Sequence, residues 1–163
     1  MVGDAANLGY PTMSGDNGAC HALVPGGPYL GGSVDAEPNG QPDPAAAGDD
    51  GDGIDDEDGV AFTSVIRANT NATVDVTASD ASLLDAWIDF NADGDWNDAG
   101  EQIFADRALV AGINSLSFLV PLTATTGNTV ARFRLDTTGG LAPTGLAVDG
   151  EVEDNFLNIG TPP

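Results

Sequence analysis

From Val60 onward the apolar residues recur at every second position, in runs too short for helices, and that period commits the chain to sheet. Seven such runs follow one another. Val60–Arg67 and Ala72–Ala78 are β-branched segments joined around Ala68-Asn69-Thr70-Asn71, and Val74 and Val76 face one way while Thr73, Asp75 and Thr77 face the other. Leu83–Phe90 places Leu84, Ala86, Ile88 and Phe90 on one face, and Gln102–Phe104 is a short run available to pair with it. Ile113–Val120 groups Leu116, Phe118 and Val120. Thr129–Leu135 sets Ala131, Phe133 and Leu135 against Arg132 and Arg134, and Glu151–Ile159 is the last run. With turn signals between the runs and no amphipathic helix, the expected fold is all-β, an antiparallel β-sandwich of about seven strands.

The first third has different chemistry. Residues 1–59 hold 19 of the 32 Gly and Pro residues, in turn and extended signals such as Pro25-Gly26-Gly27-Pro28 and Pro42-Asp43-Pro44. A loop region this long inside one domain-sized chain of 163 residues needs something to hold it, and its apolar anchors are few. The expectation is a single domain, 1–163. In it a loop-rich acidic region, 1–59, is ordered by metal and wraps on sandwich strands over 60–160.

Charge points the same way. There are 26 acidic residues against four arginines (Arg67, Arg107, Arg132, Arg134) and no lysine, a net charge of −22. Nucleic acid and anionic membranes repel such a surface, so neither is expected as a partner. The acids are clustered: seven of the ten residues 49–58 are acidic, whereas Arg107 to Val148 holds one, Asp136. Clustered like charge opposes compaction unless cations neutralise it.

Asp89 to Glu101 is the segment most suited to a cation. Oxygen-bearing side chains alternate at Asp89, Asn91, Asp93, Asp95 and Asn97, with Gly94 sixth, where a calcium loop turns sharply. Glu101 stands thirteenth rather than twelfth, so Asp98 or Glu101 completes the shell by a different curl, and the segment follows a strand rather than a helix. In the acidic run, Asp50, Asp52, Gly53 and Asp56 match positions three, five, six and nine of a second such loop. Its first position falls on Gly48, which has no side-chain oxygen. That half-site needs carboxylates from elsewhere, and Glu151, Glu153 and Asp154 are the expected donors, meeting Asp52, Asp56 or Asp58; Asp35 and Glu37 are weaker candidates. The blander alternatives are an acidic hairpin loop and a solvated acidic linker.

Arg132 and Arg134 project from one side of a strand, and ion pairs with nearby carboxylates are their expected role. Cys20 excludes an internal disulfide, and with His21 alone beside it two zinc ligands are missing, so both read as structural. No apolar run has membrane-spanning length, and residues 1–30 show no charged-then-apolar leader, so the chain reads as a mature segment or an excised module.

Assembled, these pieces resemble the GEVED domain, named for the motif that stands here as Gly150-Glu151-Val152-Glu153-Asp154. The resemblance extends over nearly the whole chain. It takes in Gly3-Asp4-Ala5, Leu30-Gly31-Gly32-Ser33-Val34-Asp35-Ala36-Glu37, Gly48-Asp49-Asp50 and Asp55-Asp56-Glu57-Asp58-Gly59-Val60. Further on come Trp87-Ile88-Asp89-Phe90-Asn91, Asp93-Gly94-Asp95-Trp96, Gly100-Glu101-Gln102-Ile103-Phe104, Ala131-Arg132-Phe133-Arg134-Leu135 and Pro143-Thr144-Gly145. Ala6 and Asn155 depart from the family pattern, which has proline and an aromatic there. The resemblance implies a module of secreted or surface-attached bacterial proteins, and so an extracellular location beside adhesive or repeat domains.

The functional expectation is a non-catalytic, calcium-stabilised structural or adhesive module. Its partners would be calcium ions, neighbouring modules, copies of itself or surface glycans. The alternative is a calcium-dependent carbohydrate- or polymer-binding module stacking sugars on Trp87, Trp96, Tyr10 or Tyr29. A hydrolase is the weakest reading, because no nucleophile-and-base set marks a reacting centre.

Overall fold

A computed structural model describes residues 9–34 and 58–163. Within them the chain forms a short 3₁₀ turn, Ser14–Asp16, and nine strands: β1 (Cys20–His21), β2 (Val60–Phe62), β3 (Asn71–Ala78), β4 (Ser82–Ile88), β5 (Gln102–Leu109), β6 (Gly112–Leu119), β7 (Gly127–Asp136), β8 (Leu146–Ala147) and β9 (Glu151–Ile159). Seven of these build the expected sandwich. One sheet has the order β2-β3-β6 and the other β5-β4-β7-β9, all antiparallel. The core lies between them, with Val74 and Val76 of β3 and Leu116 and Phe118 of β6 facing Leu84, Ala86 and Ile88 of β4 and Ala131, Phe133 and Leu135 of β7. Phe62 packs edge-on to both Phe118 and Phe133 and so reaches across both layers.

Two strand boundaries differ from the sequence reading. β2 stops at Phe62 instead of reaching Arg67, because Ser64 accepts the N–H of Thr73 on its hydroxyl and takes over a ladder bond. β5 runs on to Leu109, past the expected Phe104, through a register shift opposite Leu84–Ala86, with Asp106 at φ 48°.

The larger addition is a third layer. The four-stranded sheet is buried on both faces: β7 has Arg132, Arg134 and Asp136 covered on the side away from the core. The cover comes from the stretch leading through β1 and from the turn region 137–150. These two are stitched by the parallel pairs Cys20–Leu146 and His21–Ala147. Tyr10, Trp87, Trp96 and Val130 form one apolar cluster beneath this cover, and Ala19 and Val152 another with Val34.

Candidate functional site

The loop after β4 is built around one carboxylate. Asp89 is fully buried. Its Oδ1 accepts the N–H groups of Ala92 (2.6 Å) and Asp93 (3.3 Å), and its Oδ2 accepts the N–H of Gly94 (3.0 Å) and the hydroxyl of Tyr10 (2.6 Å). Drawing three successive amides onto one side chain forces a tight curl, with Ala92 at φ 60° and Gly94 at φ 95°. Further along, Asn91, Asp93 and Asp95 each take the amide two residues on, at 3.0, 3.3 and 2.8 Å. Each of these Asx turns uses one oxygen. Asn91 also donates from Nδ2 to Asp93 Oδ2 and Asp98 Oδ2, while Asn97 stands exposed at the end of the curl.

Glu101 closes the loop from beneath. It is buried and accepts the N–H of Phe90 on Oε1 (3.0 Å) and that of Asp98 on Oε2 (3.2 Å). Burial, with the charge of Asp89 added to it, pushes Glu101 up to about 7. Burial and the bond to Asp89 likewise push the Tyr10 phenol upward. Beside Glu101 lies an open cleft of about 200 Å³, bordered by Phe90, Asn91, Asp98, Pro121 and Thr123.

Trp96 links this loop to the last strand. Its ring stacks on Tyr10 with centroids 4.4 Å apart, donates Nε1–H to Val130 O, and lies under the guanidinium of Arg132 at 4.4 Å. Arg132 in turn holds Asp154 by two bonds of 2.6 Å, both partners fully buried. Asp154, expected at a metal site, is thus engaged by a cation of the chain itself.

Arg134 departs from its expected role. Its nearest polar partners are carbonyls, those of Ala142, Thr144, Gly145 and Cys20, together with Nε2 of His21. Since Arg134 donates to Nε2, the imidazole carries its proton on Nδ1 and donates it to Asp149 O at 2.6 Å. Burial and the two guanidinium charges hold His21 down to about 3, and burial and Arg132 lower Arg134 to about 10. Cys20, partly buried, supplies its carbonyl to the same arginine.

Glu151 and Glu153 point to the core side of β9, opposite Leu135 and Phe133, at the edge where the two sheets meet. Glu151 accepts the N–H of Leu30, and Glu153 accepts the N–H of Gly59 at 2.9 Å. Gly59 immediately precedes β2, so the last strand is tied to the entry of the sandwich, here by a carboxylate-to-amide bond. A Cβ at Gly59 would come within 2.6 Å of Glu153 Oε1 and 2.5 Å of Leu30 Cβ, which restricts this position to glycine. Asp58 accepts the N–H of Gly32 at 2.8 Å. Asp50, Asp52 and Asp56, with Asp35 and Glu37, lie outside the described residues.

Among the described residues, no group of three or more His, Cys, Asp or Glu side chains already stands together as a metal cage. The sequence reading passed over a third carboxylate cluster. Asp85, buried on the outer face of β4, accepts from Gln102 Nε2, Asp106 N and Leu141 N. Asp106 and Asp136 bind the amides of Gly140 and Gly139 beside it. Burial and these two neighbouring charges raise Asp85. The signal was present: on a strand with Leu84, Ala86 and Ile88 facing the core, Asp85, Trp87 and Asp89 alternate on the opposite face.

Each letter of the Gly150–Asp154 motif now has a physical role. Residues 83–158 match the GEVED domain. The matched segment runs from the start of β4 almost to the end of β9, and is narrower than the resemblance read over nearly the whole chain. No curated protein and no solved structure matches the chain. In the matched segment, Gly150 sits at φ 87°, where a Cβ would collide with the carbonyl of Leu135. Glu151 and Glu153 hold the backbone between the sheet edges, Val152 packs under Ala19, and Asp154 neutralises Arg132.

Proposed function

We propose that this chain is a non-catalytic extracellular module stapled by calcium, with the loop from Asp89 to Glu101 as its principal ion site. The observation that carries the reading is the curl itself. The buried Asp89 gathers the amides of Ala92, Asp93 and Gly94 and so sets the sharp turn at Gly94 that a calcium loop needs at its sixth position. The donor set is hard oxygen throughout. The Asx turns of exposed Asp93 and half-buried Asp95 each engage one oxygen, so each carboxylate has a second oxygen for an ion, that of Asp93 in exchange for its bond from Asn91. Glu101, buried against Asp89 and raised to about 7, is the group whose ionised form a divalent cation relieves most. A second ion is proposed between Asp50, Asp52, Asp56 or Asp58 and the Glu151–Glu153 pair, in keeping with the tie already made through Gly59.

Extracellular modules bind calcium at about 10⁻⁴ to 10⁻³ M, and an ion about 100-fold above its dissociation constant adds roughly 2.7 kcal/mol. Calorimetric titration with calcium, paired with melting curves with and without EDTA, tests the proposal. Calcium should bind and raise the melting temperature, and Asp93→Ala should remove most of that gain while leaving the chelated protein unchanged. Equal melting with and without calcium would refute it. Carbohydrate binding is the poorer reading, since Trp87, Trp96 and Tyr10 are all buried in the layer beneath the cover, which leaves Tyr29 to stack on a sugar.

A further inference from the structure

The two long sides of the sandwich are finished differently. On the β2 and β9 side, backbone from elsewhere in the chain extends the pairing: Leu30 bridges Ala78 and Gly31 donates to Thr77 O on the part of β3 that β2 leaves uncovered, and Arg67 bridges Gly160 just past β9. On the opposite side β5 and β6 are outermost among the described residues. β5 carries Asp106, Arg107 and a register shift, devices that keep an edge strand from recruiting another. β6 has none of them. It reads Gly-Ile-Asn-Ser-Leu-Ser-Phe-Leu, pairs with β3 without interruption over eight residues, and contains no charge and no proline. Its outward row is Ile113, Ser115, Ser117 and Leu119, with Ile113 69% and Leu119 63% exposed.

We propose that β6 pairs antiparallel with β6 of a second copy of this chain across a twofold axis. Side chains alternate with period two, so a symmetric pairing must set like faces opposite each other. Centring the pair on Leu116 achieves this. Ser115 then faces Ser117 of the second copy, and Ile113 faces Leu119, so the row apolar-Ser-Ser-apolar is its own complement. A slip of two residues leaves one apolar end of each strand unmatched.

The occupant is a second copy because the strand complements itself, and because charge favours this approach over others. Two chains of net charge −22 repel, and Arg107 to Val148, with its single acid, is where they meet with least repulsion. Main-chain bonds supply the attraction and the outer row fixes the register.

In this register residue 117 of one copy stands beside Ser115 of the other, which hydrogen-bonds Asp75 at 2.7 Å. The test is sedimentation velocity of the 16.4 kDa chain at physiological salt with calcium, over concentrations reaching the millimolar range. A species of twice that mass is expected. Ser117→Glu, brought towards Asp75 of the second copy, should weaken association roughly tenfold. Ser117→Lys should preserve or strengthen it, and both variants should melt like the parent. A monomer at every concentration overturns the proposal, as does a dimer that both substitutions weaken equally or neither affects.

Discussion

Two arginines decide how the outer face of the four-stranded sheet is held. Arg132 is neutralised by Asp154, so removing it takes the guanidinium from a buried carboxylate and also leaves the carbonyls of Pro11 and Pro143 without this donor. Arg132→Met should therefore cost about 3–5 kcal/mol in urea unfolding. A loss below 1 kcal/mol, roughly what an exposed pair is worth, would mean that the site admits water. His21 gives a pH test. Its folded value of about 3 lies below the ordinary 6.5, so the unfolded chain takes up the proton first as pH falls. Its contribution is complete above pH 6.5 and is lost as pH drops towards 3. Relative to His21→Gln, the parent should lose stability through that window, and the His21 ring resonances should not titrate between pH 7 and 5. A midpoint near 6.5 would contradict the buried Arg134–His21–Asp149 chain.

At the scale of strands and turns, Gly150 is the sharpest probe. Gly150→Ala places a Cβ against Leu135 O at φ 87°, and about 3 kcal/mol or more of destabilisation is expected in the same unfolding assay. Most of the sandwich strands were legible because they show one apolar face at period two; Val74 and Val76, or Ala131, Phe133 and Leu135, need no tertiary information. β1 and β8 were not, since two-residue strands carry no period and arise from pairing across 126 positions, as Cys20 to Leu146. The curl of the Asp89 loop was legible from its alternating oxygens and Gly94. The part played by Tyr10 was not, because its bond to Asp89 spans 79 residues. Arg134 was misjudged for a related reason: acids are abundant in sequence, but the groups that reach it are carbonyls of the 142–145 turn.

For the molecule as a whole, self-repulsion is the term that solution conditions control. With EDTA present, sodium chloride should raise the melting temperature by screening; calcium without EDTA, at equal ionic strength, should raise it further. Equal effects of the two salts would reduce calcium to a counterion and remove the staple. The order of synthesis adds a constraint. The cover made by β1 is translated before β7 and β9, which carry the arginine and its carboxylate. Nothing can bury Tyr10, Ala19 or His21 until those late strands exist. Burial of the cover therefore waits until β9 has been made. With its pairings spread over most of the chain length, that step belongs to the slow class of β topologies.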